Sequence, residues 1–222
     1  MNINAIIFGA SGMVGEGVLH TALQHPDVES VLVVGRRSCG VSHRKLREIL
    51  HADFFNYTAI EQELRGYNAC YFCLGVSSIG KSENEYRHTT YDLTLAAAKT
   101  LSALNPDMTF CYVSGAGTDS TEKGRSMWAR VKGKTENDLR TLPFKAVFLF
   151  RPGFIKPIPG LKHAYPLAGL IGLGYPLFKI IIPKFVCTLD DLGLAMITVT
   201  NRGYQSPVLE CNDITQLAES HP

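Results

Sequence analysis

The sequence has neither a strong excess of charge of one sign nor a long uninterrupted hydrophobic run. Its 22 basic and 20 acidic residues give a formal net charge of +2. Proteins that bind nucleic acid or anionic membranes carry clustered positive charge, so this balance argues against a nucleic-acid partner and a polybasic membrane patch. Charged residues make up 19% and hydrophobic residues 45% of the chain, which is typical of a globular protein and not of a disordered one.

The chain also lacks the histidine and cysteine spacing of metal sites. None of its seven histidines stands in a recognisable ligand pattern with a cysteine or an acid. Cys70 and Cys73 have redox-motif spacing, but they fall in a predicted strand, where residues three apart point to opposite faces. We therefore predict no metal, and buried cysteine thiols in a reducing compartment.

The N-terminus shows none of the features of a targeting segment. A secretory leader begins with positive charge and continues into an apolar stretch, whereas a predicted strand follows Met1 almost directly. From this pattern we expect a cytoplasmic protein.

One apolar stretch, residues 164–178, needs separate treatment. Pro166 and Pro176 interrupt it, and Lys162 and Lys179 bound it, so it is too short and too broken to span a membrane. A buried helix pair, a pocket wall or a subunit interface, as in a homodimer, is the favoured interpretation. A peripheral membrane contact through residues 164–182 stays open as the alternative.

Short apolar runs alternate with helical patterns along most of the chain. Strands that alternate with helices at this spacing predict a parallel sheet with helices on both faces, and continuous apolar strands indicate burial on both sides. The fold class is therefore α/β, a doubly wound parallel sheet (Rossmann fold). We expect one domain over residues 1–222, with residues 156–222 forming a substrate-side cap. The predicted strands are 3–8, 30–34, 46–50, 69–73, 108–114, 144–150 and 207–210, and the predicted helices are 13–24, 59–65, 84–104, 127–141 and 192–200.

A glycine-rich turn joins the first strand to the first helix. Residues 9–15 read G-A-S-G-M-V-G. Glycine allows a tight turn and close approach of the backbone to a pyrophosphate, and the helix N-terminus offers free N–H groups to phosphate oxygens. The turn therefore predicts a dinucleotide site made by Gly9, Ala10, Ser11, Gly12, Met13, Val14 and Gly15.

The spacing G-x-x-G-x-x-G resembles that of the short-chain dehydrogenase/reductase superfamily, in particular its extended, NAD-dependent epimerase-like and atypical branches. The resemblance runs from residue 5 to about residue 155. The stretch W-A-R-V-K-G-K-T-E at residues 128–136 is most similar to a small atypical branch, the Tat-interacting oxidoreductase-like proteins, which have Y-x-x-V-K-G-x-x-E there.

The end of the second strand predicts NADP in preference to NAD. An acid at this point would bond the adenosine ribose and repel a 2′-phosphate, but the chain has Arg36 and Arg37. Guanidinium groups pair well with phosphate. The resemblance adds Asp53 and Phe54 beside the adenine, and Leu74 and Gly75 where the chain passes under the adenosine.

The resemblance also implies an active site of Ser, Tyr and Lys. Ser114 matches the family Ser, which orients the substrate, and Lys132 matches the Lys, which holds the nicotinamide ribose. Trp128 stands in the place of the Tyr. Because an indole N–H donates but does not ionise at useful pH, Trp128 cannot carry the proton, and a water held by Ser114 or a nearby Tyr such as Tyr91 is the substitute that we consider.

Two further groups complete the predicted site. Pro152, Gly153 and Phe154 resemble the family turn whose backbone lines the nicotinamide pocket. Tyr86, His88 and Tyr91 begin the helix after the fourth strand, where we expect substrate contacts.

The sequence leaves three functions open. The leading hypothesis is an NADP(H)-dependent oxidoreductase that acts on a small carbonyl or hydroxyl compound. The second is a non-catalytic NADP(H)-binding module that reports redox state to a protein partner. The third is a sugar-nucleotide epimerase, which is weaker because that chemistry uses the same missing Tyr.

Overall fold

The centre of the molecule is a parallel β-sheet, seen here in a computed structural model that describes residues 2–161 and 185–220. Strand β1 (Ile3–Phe8) lies in the middle, with β2 on one side and β4 on the other; Ile6 is paired with Leu32 and with Cys70. All six strand pairs are parallel, in the order β3-β2-β1-β4-β5-β6-β9. The remaining strands are β2 (Val28–Gly35), β3 (Leu46–Leu50), β4 (Ala69–Phe72), β5 (Thr109–Val113), β6 (Ala146–Arg151) and β9 (Val208–Glu210).

Helices cover both faces of this sheet. They are α1 (Met13–Gln24), a 3₁₀ helix (Thr58–Leu64), α2 (Glu83–Arg87), a π-helical turn (His88–Asp92), α3 (Leu93–Leu104), α4 (Met127–Leu139), α5 (Leu189–Arg202) and α6 (Cys211–Glu219). Ser82 and Glu85 form a capping box at α2, as Thr188 and Asp191 do at α5, so these two helices begin where side chains satisfy their free N–H groups.

Alternate residues of the strands belong to two separate hydrophobic cores, one on each face of the sheet. Ile7 packs with helices α1, α5 and α6 on one face, whereas Phe8 and Phe72 pack with α3 and the 3₁₀ helix on the other. Successive side chains of a strand point to opposite faces, so a strand made of apolar residues has to be covered on both faces of the sheet. The predicted doubly wound Rossmann fold is confirmed.

Some residues of the segment that the sequence assigns to a substrate-side cap pack with the main sheet. Residues 208–210 add a seventh strand to the main sheet, and α5 and α6 pack into the core beside α1. The helix over Cys211–Glu219 was not predicted, because its nine residues hold few apolar positions. A small parallel pair, β7 (Phe154–Lys156) and β8 (Val186–Thr188), stands apart from the main sheet.

The apolar segment of residues 164–182 lies outside the described residues. Among residues 2–161 and 185–220, no helix has both the length and the apolar character needed to cross a membrane.

Candidate cofactor and active site

A cleft of about 460 Å³ opens at the carboxyl ends of β1, β2 and β4. Ligands of open α/β sheets bind at this edge, where the strand order reverses. The lining combines glycine turns with apolar side chains and two arginines. It consists of Gly9, Ala10, Ser11, Gly12, Val33, Val34, Gly35, Arg36, Arg37, Phe54, Cys73, Leu74, Gly75 and Val76.

The three glycines of the turn are needed for different reasons. Gly9 has φ +84°, and a Cβ there would lie 2.8 Å from the backbone of Leu74. A Cβ at Gly15 would lie 2.2 Å from the carbonyl oxygen of Gly9. At Gly12 a Cβ could be accommodated, since it would lie 3.5 Å from the same oxygen. The protein's own packing therefore does not require glycine there, and the absence of a side chain keeps the cleft open.

The N-terminus of α1 is free of a side-chain cap. Gly12 is the N-cap residue in extended conformation and, having no side chain, forms no capping hydrogen bond. The first N–H groups of a helix have no partner within it, so here they are available to an anion. The acid of the first turn, Glu16, lines a separate groove beside Leu19 and His20, away from this cleft.

Arg36 and Arg37 give the cleft a positive charge. Both side chains are exposed, both line the cleft, and no carboxylate is among the described residues that line it. Within residues 2–161 and 185–220, neither guanidinium forms an ion pair. The cleft therefore fits a dinucleotide.

The side chains of Asp53, Met13 and Val14 make other contacts, while the N–H groups of Met13 and Val14 belong to the first turn of α1. The exposed Asp53 carboxylate accepts the N–H of Phe55 at 2.9 Å, so it stabilises its own turn. Met13 and Val14 pack against the core. Phe54, by contrast, lines the cleft and packs edge-on against Phe8, with ring centroids 6.1 Å apart.

A second cluster lies at the carboxyl end of β5, with Ser114 at its centre. The buried Ser114 hydroxyl lies 2.8 Å from the hydroxyl of Thr118, which in turn donates to the carbonyl of Gly115 at 2.7 Å. Because a hydroxyl has one proton, Ser114 donates to Thr118 and keeps its lone pairs for a ligand. Thr118 was missed in the sequence, where it reads as one more residue of a Gly-rich loop.

Lys132 reaches the same strand end from α4. Its Nζ donates to the carbonyl oxygens of Ser114 at 2.9 Å and Val113 at 3.4 Å, and it lies 5.4 Å from the ring centroid of Tyr112. Burial lowers the pKa of Lys132 to about 8, because a desolvated ammonium is disfavoured, and the charge of Glu136 opposes this shift.

Trp128 lies one helical turn before Lys132 and packs against the loop after β5. A Cβ added to Gly117, which has φ +84°, would lie 3.6 Å from Cη2 of the indole, and one added to Gly115 would lie 4.0 Å from Cζ3. The indole thus covers the glycine turn as an apolar surface. No phenol occupies position 128.

The turn after β6 holds this loop in place. The carbonyl of Pro152 accepts the N–H of Ala116 at 3.0 Å, and the N–H of Gly153 donates to Cys211 Sγ at 3.2 Å. A Cβ at Gly153 would lie 2.5 Å from the carbonyl oxygen of Phe185. Phe154 begins strand β7, so the turn joins the main sheet to the small one.

Two of the aromatic residues after β4, His88 and Tyr91, make their contacts away from Ser114. Tyr91 donates to Asp138 at 2.5 Å, on the side of α4 that carries Lys134. Tyr86 is buried, and His88 stacks on Phe55 at 4.5 Å between ring centroids. Positions 132 and 134 lie on opposite sides of a helix, so Tyr91 cannot supply a proton beside Ser114.

The structure therefore presents two neighbouring regions at one edge of the sheet. The cleft is lined by the glycine turn and the two arginines, and the cluster of Ser114, Trp128 and Lys132 lies beyond it on β5 and α4. None of those three side chains lines the cleft itself.

The relatives of this chain include a group of fungal proteins. Protein FMP52-2 of Scheffersomyces stipitis is 28% identical over 158 residues, which cover 70% of this chain and 67% of that protein. This relative, its paralogue and the Meyerozyma guilliermondii relative are all named mitochondrial proteins. The expectation of a cytoplasmic protein is therefore contradicted: the lack of a leader pattern was a poor guide to compartment.

Solved enzyme structures share the fold. The Bordetella bronchiseptica enzyme WbmG, solved with NAD, has a TM-score of 0.69 at 12% identity and covers 94% of this chain and 72% of its own. A UDP-glucose 4-epimerase of Thermotoga maritima, solved with UDP-glucose, has a TM-score of 0.67 at 14% identity, covering 98% of this chain and 82% of its own. At these identities the likeness shows the fold.

The family comes from the sequence itself. The model of the NAD dependent epimerase/dehydratase family matches residues 5–124, a span that begins in β1, includes the glycine turn and the whole cleft lining, and ends in the loop after Ser114. With more than half of its length matched, from the dinucleotide turn to the end of β5, this chain belongs to the NAD dependent epimerase/dehydratase family.

Proposed function

We propose that this protein binds NADP(H) in the cleft and acts as an oxidoreductase on a small carbonyl or hydroxyl compound. The observation that carries the proposal is the cleft lining, in which Arg36 and Arg37 stand beside the glycine turn with no carboxylate. A 2′-phosphate would be bound by the two guanidinium groups, and a ribose 2′-hydroxyl would find no carboxylate to accept its hydrogen bond.

The rest of the proposed site follows the edge of the sheet. The first turn of α1 would hold the pyrophosphate, Phe54, Leu74 and Gly75 the adenosine, and Lys132 the nicotinamide ribose. Pro152, Gly153 and Phe154 would border the nicotinamide, and Ser114 would orient the substrate. When bound, the dinucleotide supplies or accepts a hydride.

The test compares NADPH with NADH by fluorescence titration. We expect NADPH to bind at least about tenfold more tightly, since each charge-assisted bond contributes on the order of 1.5–3 kcal/mol. Arg36→Ala and Arg37→Ala should weaken NADPH binding and leave NADH binding nearly unchanged. Arg65→Ala is the matched control, because Arg65 is also exposed but lies outside the cleft.

Two outcomes would overturn parts of this proposal. Equal or tighter binding of NADH would remove the argument from the arginines, and the absence of binding by either nucleotide would remove the cofactor site altogether.

A second candidate, a non-catalytic NADP(H)-binding module, is favoured by Trp128. An indole cannot exchange a proton with substrate, and general acid–base catalysis is worth on the order of 10²–10⁴ in rate. NADPH consumption over a broad panel of carbonyl compounds decides between the candidates. Tight binding with no consumption, by wild type and by Trp128→Tyr alike, identifies a binding module.

A further inference from the structure

The reaction proposed above needs a proton that position 128 does not provide. Reduction of a carbonyl adds a hydride to carbon and a proton to oxygen. Trp128 packs on the turn of residues 115–117, and its indole does not ionise near neutral pH. Some other group has to protonate the substrate oxygen.

The hydroxyl groups near this position are already engaged. Ser114 lies 2.8 Å from Thr118, whose own proton goes to the carbonyl of Gly115. Tyr91 donates to Asp138 on another side of α4. Tyr86 and Tyr112 are buried, and burial raises the pKa of both phenols. Tyr165 and Tyr175 lie outside the described residues, and substitutions at both are included in the test below.

Lys132 is placed where the missing proton is needed. It is half-buried, shares a helix face with position 128, and is held by two carbonyl oxygens at the end of β5. An ammonium group has three N–H donors. Those two contacts use two of them, and in the described part of the chain the third has no acceptor.

The charges around Lys132 keep its proton exchangeable. From β5 it faces the neutral phenol of Tyr112, and from α4 it faces Glu136. The Glu136 carboxylate is paired with Arg151 of β6 through the Nε–H at 3.0 Å and a second N–H, so it only partly offsets the cost of burial. With its pKa lowered to about 8, Lys132 populates both protonation states near neutral pH, as an acid–base group requires.

We propose that the Lys132 ammonium protonates the substrate oxygen, in the role that the family gives to a Tyr at position 128; this inference rests on the proposed function. The hydride adds to the carbonyl carbon as the carbon–oxygen π bond breaks, and the oxygen takes a proton from Nζ. The dinucleotide is the reductant, and the neutral amine regains a proton from water. In the reverse direction the amine accepts the proton of an alcohol.

The first measurement does not depend on turnover. In protein labelled with ¹³C-lysine, the ε-carbon resonance is followed against pH, and Lys132→Met and Lys134→Met assign the two signals. We expect the Lys132 signal to titrate near pH 8 and the Lys134 signal above the ordinary lysine range, because the hydrogen-bonded ion pair with Asp138 raises the pKa of Lys134. A Lys132 midpoint above about 10 would overturn the proposal.

The second measurement separates proton transfer from binding. Lys132→Arg keeps the positive charge and the N–H donors but cannot release a proton, so NADPH should still bind while carbonyl reduction falls on the order of 10²-fold or more. Lys134→Met, on the other side of the helix, should reduce at the wild-type rate. Wild-type reduction should fall as pH rises through 8, as Lys132 loses its proton.

The outcomes distinguish this inference from the function on which it rests. Full turnover by Lys132→Arg with NADPH bound, or loss of turnover in Tyr165→Phe or Tyr175→Phe instead, would overturn the role of Lys132 and leave the proposed function standing. Failure of the wild type to bind NADPH would remove both.

Discussion

At the scale of single residues, burial of the Lys132 ammonium carries an electrostatic cost. This group is partly withdrawn from water, and two backbone carbonyls, an aromatic face and a paired carboxylate compensate only in part. Groups with shifted pKa values cluster at functional sites because function, not stability, keeps them there.

This cost predicts a pH-dependent stability difference. Lys132 has a pKa of about 8 in the folded protein, against 10.5 for an unperturbed lysine, so between these limits the unfolded state binds more protons and stability rises with pH. Lys132→Met lacks this dependence. Its stability relative to wild type should therefore fall by roughly 3 kcal/mol from pH 7 to pH 10.5, at 1.36 kcal/mol for each pKa unit, measured by urea unfolding.

Lys134→Met is the control with the opposite sign. An ion pair raises the pKa of Lys134 in the fold, so its contribution is present below the unfolded pKa and is lost as pH rises through the folded one. Lys134→Met should be slightly less stable than wild type at pH 7 and equal to it at high pH. Parallel pH profiles for the two variants would contradict the assignment of burial to Lys132.

At the scale of elements, helix α4 has two distinct sides. One carries Trp128 and Lys132 toward the end of β5, and the other carries Lys134 and Asp138 toward Tyr91 of the π-helical turn. Gly133 brings the loop of residues 115–126 onto this helix, since the carbonyl of Asp119 would lie only 1.8 Å from a Cβ at that position.

Gly133→Ala should therefore destabilise the protein although alanine is the better helix former. The clash is with backbone, so the loop has to move, and we expect a loss of about 1–3 kcal/mol that outweighs the gain of about 1 kcal/mol in helix propensity. Because the same loop contains Thr118, the hydrogen-bond partner of Ser114, NADPH consumption should fall with it. Gly75→Ala is the comparison for stability, since its Cβ meets nothing within 4 Å; equal melting temperatures for the two variants would refute this contact.

At the scale of the whole molecule, the two ends of the chain form one core. Helix α1 packs against α5, and the contact is close enough that a Cβ at Gly17 would lie 2.1 Å from Cγ of the fully buried Leu189. The glycine-rich first helix and helix α5 therefore depend on each other.

A double-mutant cycle measures this dependence. Leu189→Ala should cost about 2–5 kcal/mol through the cavity that it leaves, and Gly17→Ala should cost about 1–3 kcal/mol through the clash. In the Leu189→Ala background the clash is gone, so Gly17→Ala should become neutral or stabilising. Additive free energies of unfolding would show that the two helices are not in contact at these positions.

Local sequence patterns predicted most of the fold. Each of the first six strands was found in place, because an apolar run bounded by turn residues depends on near neighbours. The helix predicted over residues 84–104 is present as three consecutive helical segments: α2 (Glu83–Arg87), the π-helical turn (His88–Asp92) and α3 (Leu93–Leu104). Gly12, Arg36 and Gly75, which follow strand ends, were predicted to lie near one another because parallel strands end at one edge of the sheet. All three line the cleft.

The tertiary structure decided what those patterns could not. The bond between Ser114 and Thr118, the carbonyl contacts of Lys132, the direction of Tyr91 and the position of β9 and α6 in the core depend on residues distant in sequence or on the fold of a loop. Asp53 shows the same limit, because its carboxylate bonds its own turn instead of facing the cleft. The sequence by itself determined that the chain builds a dinucleotide-type turn on a parallel sheet. Only the tertiary structure decided which side chains meet beside that turn. The reason is that the partners of a side chain are set by the packing of the whole core and not by its neighbours along the chain.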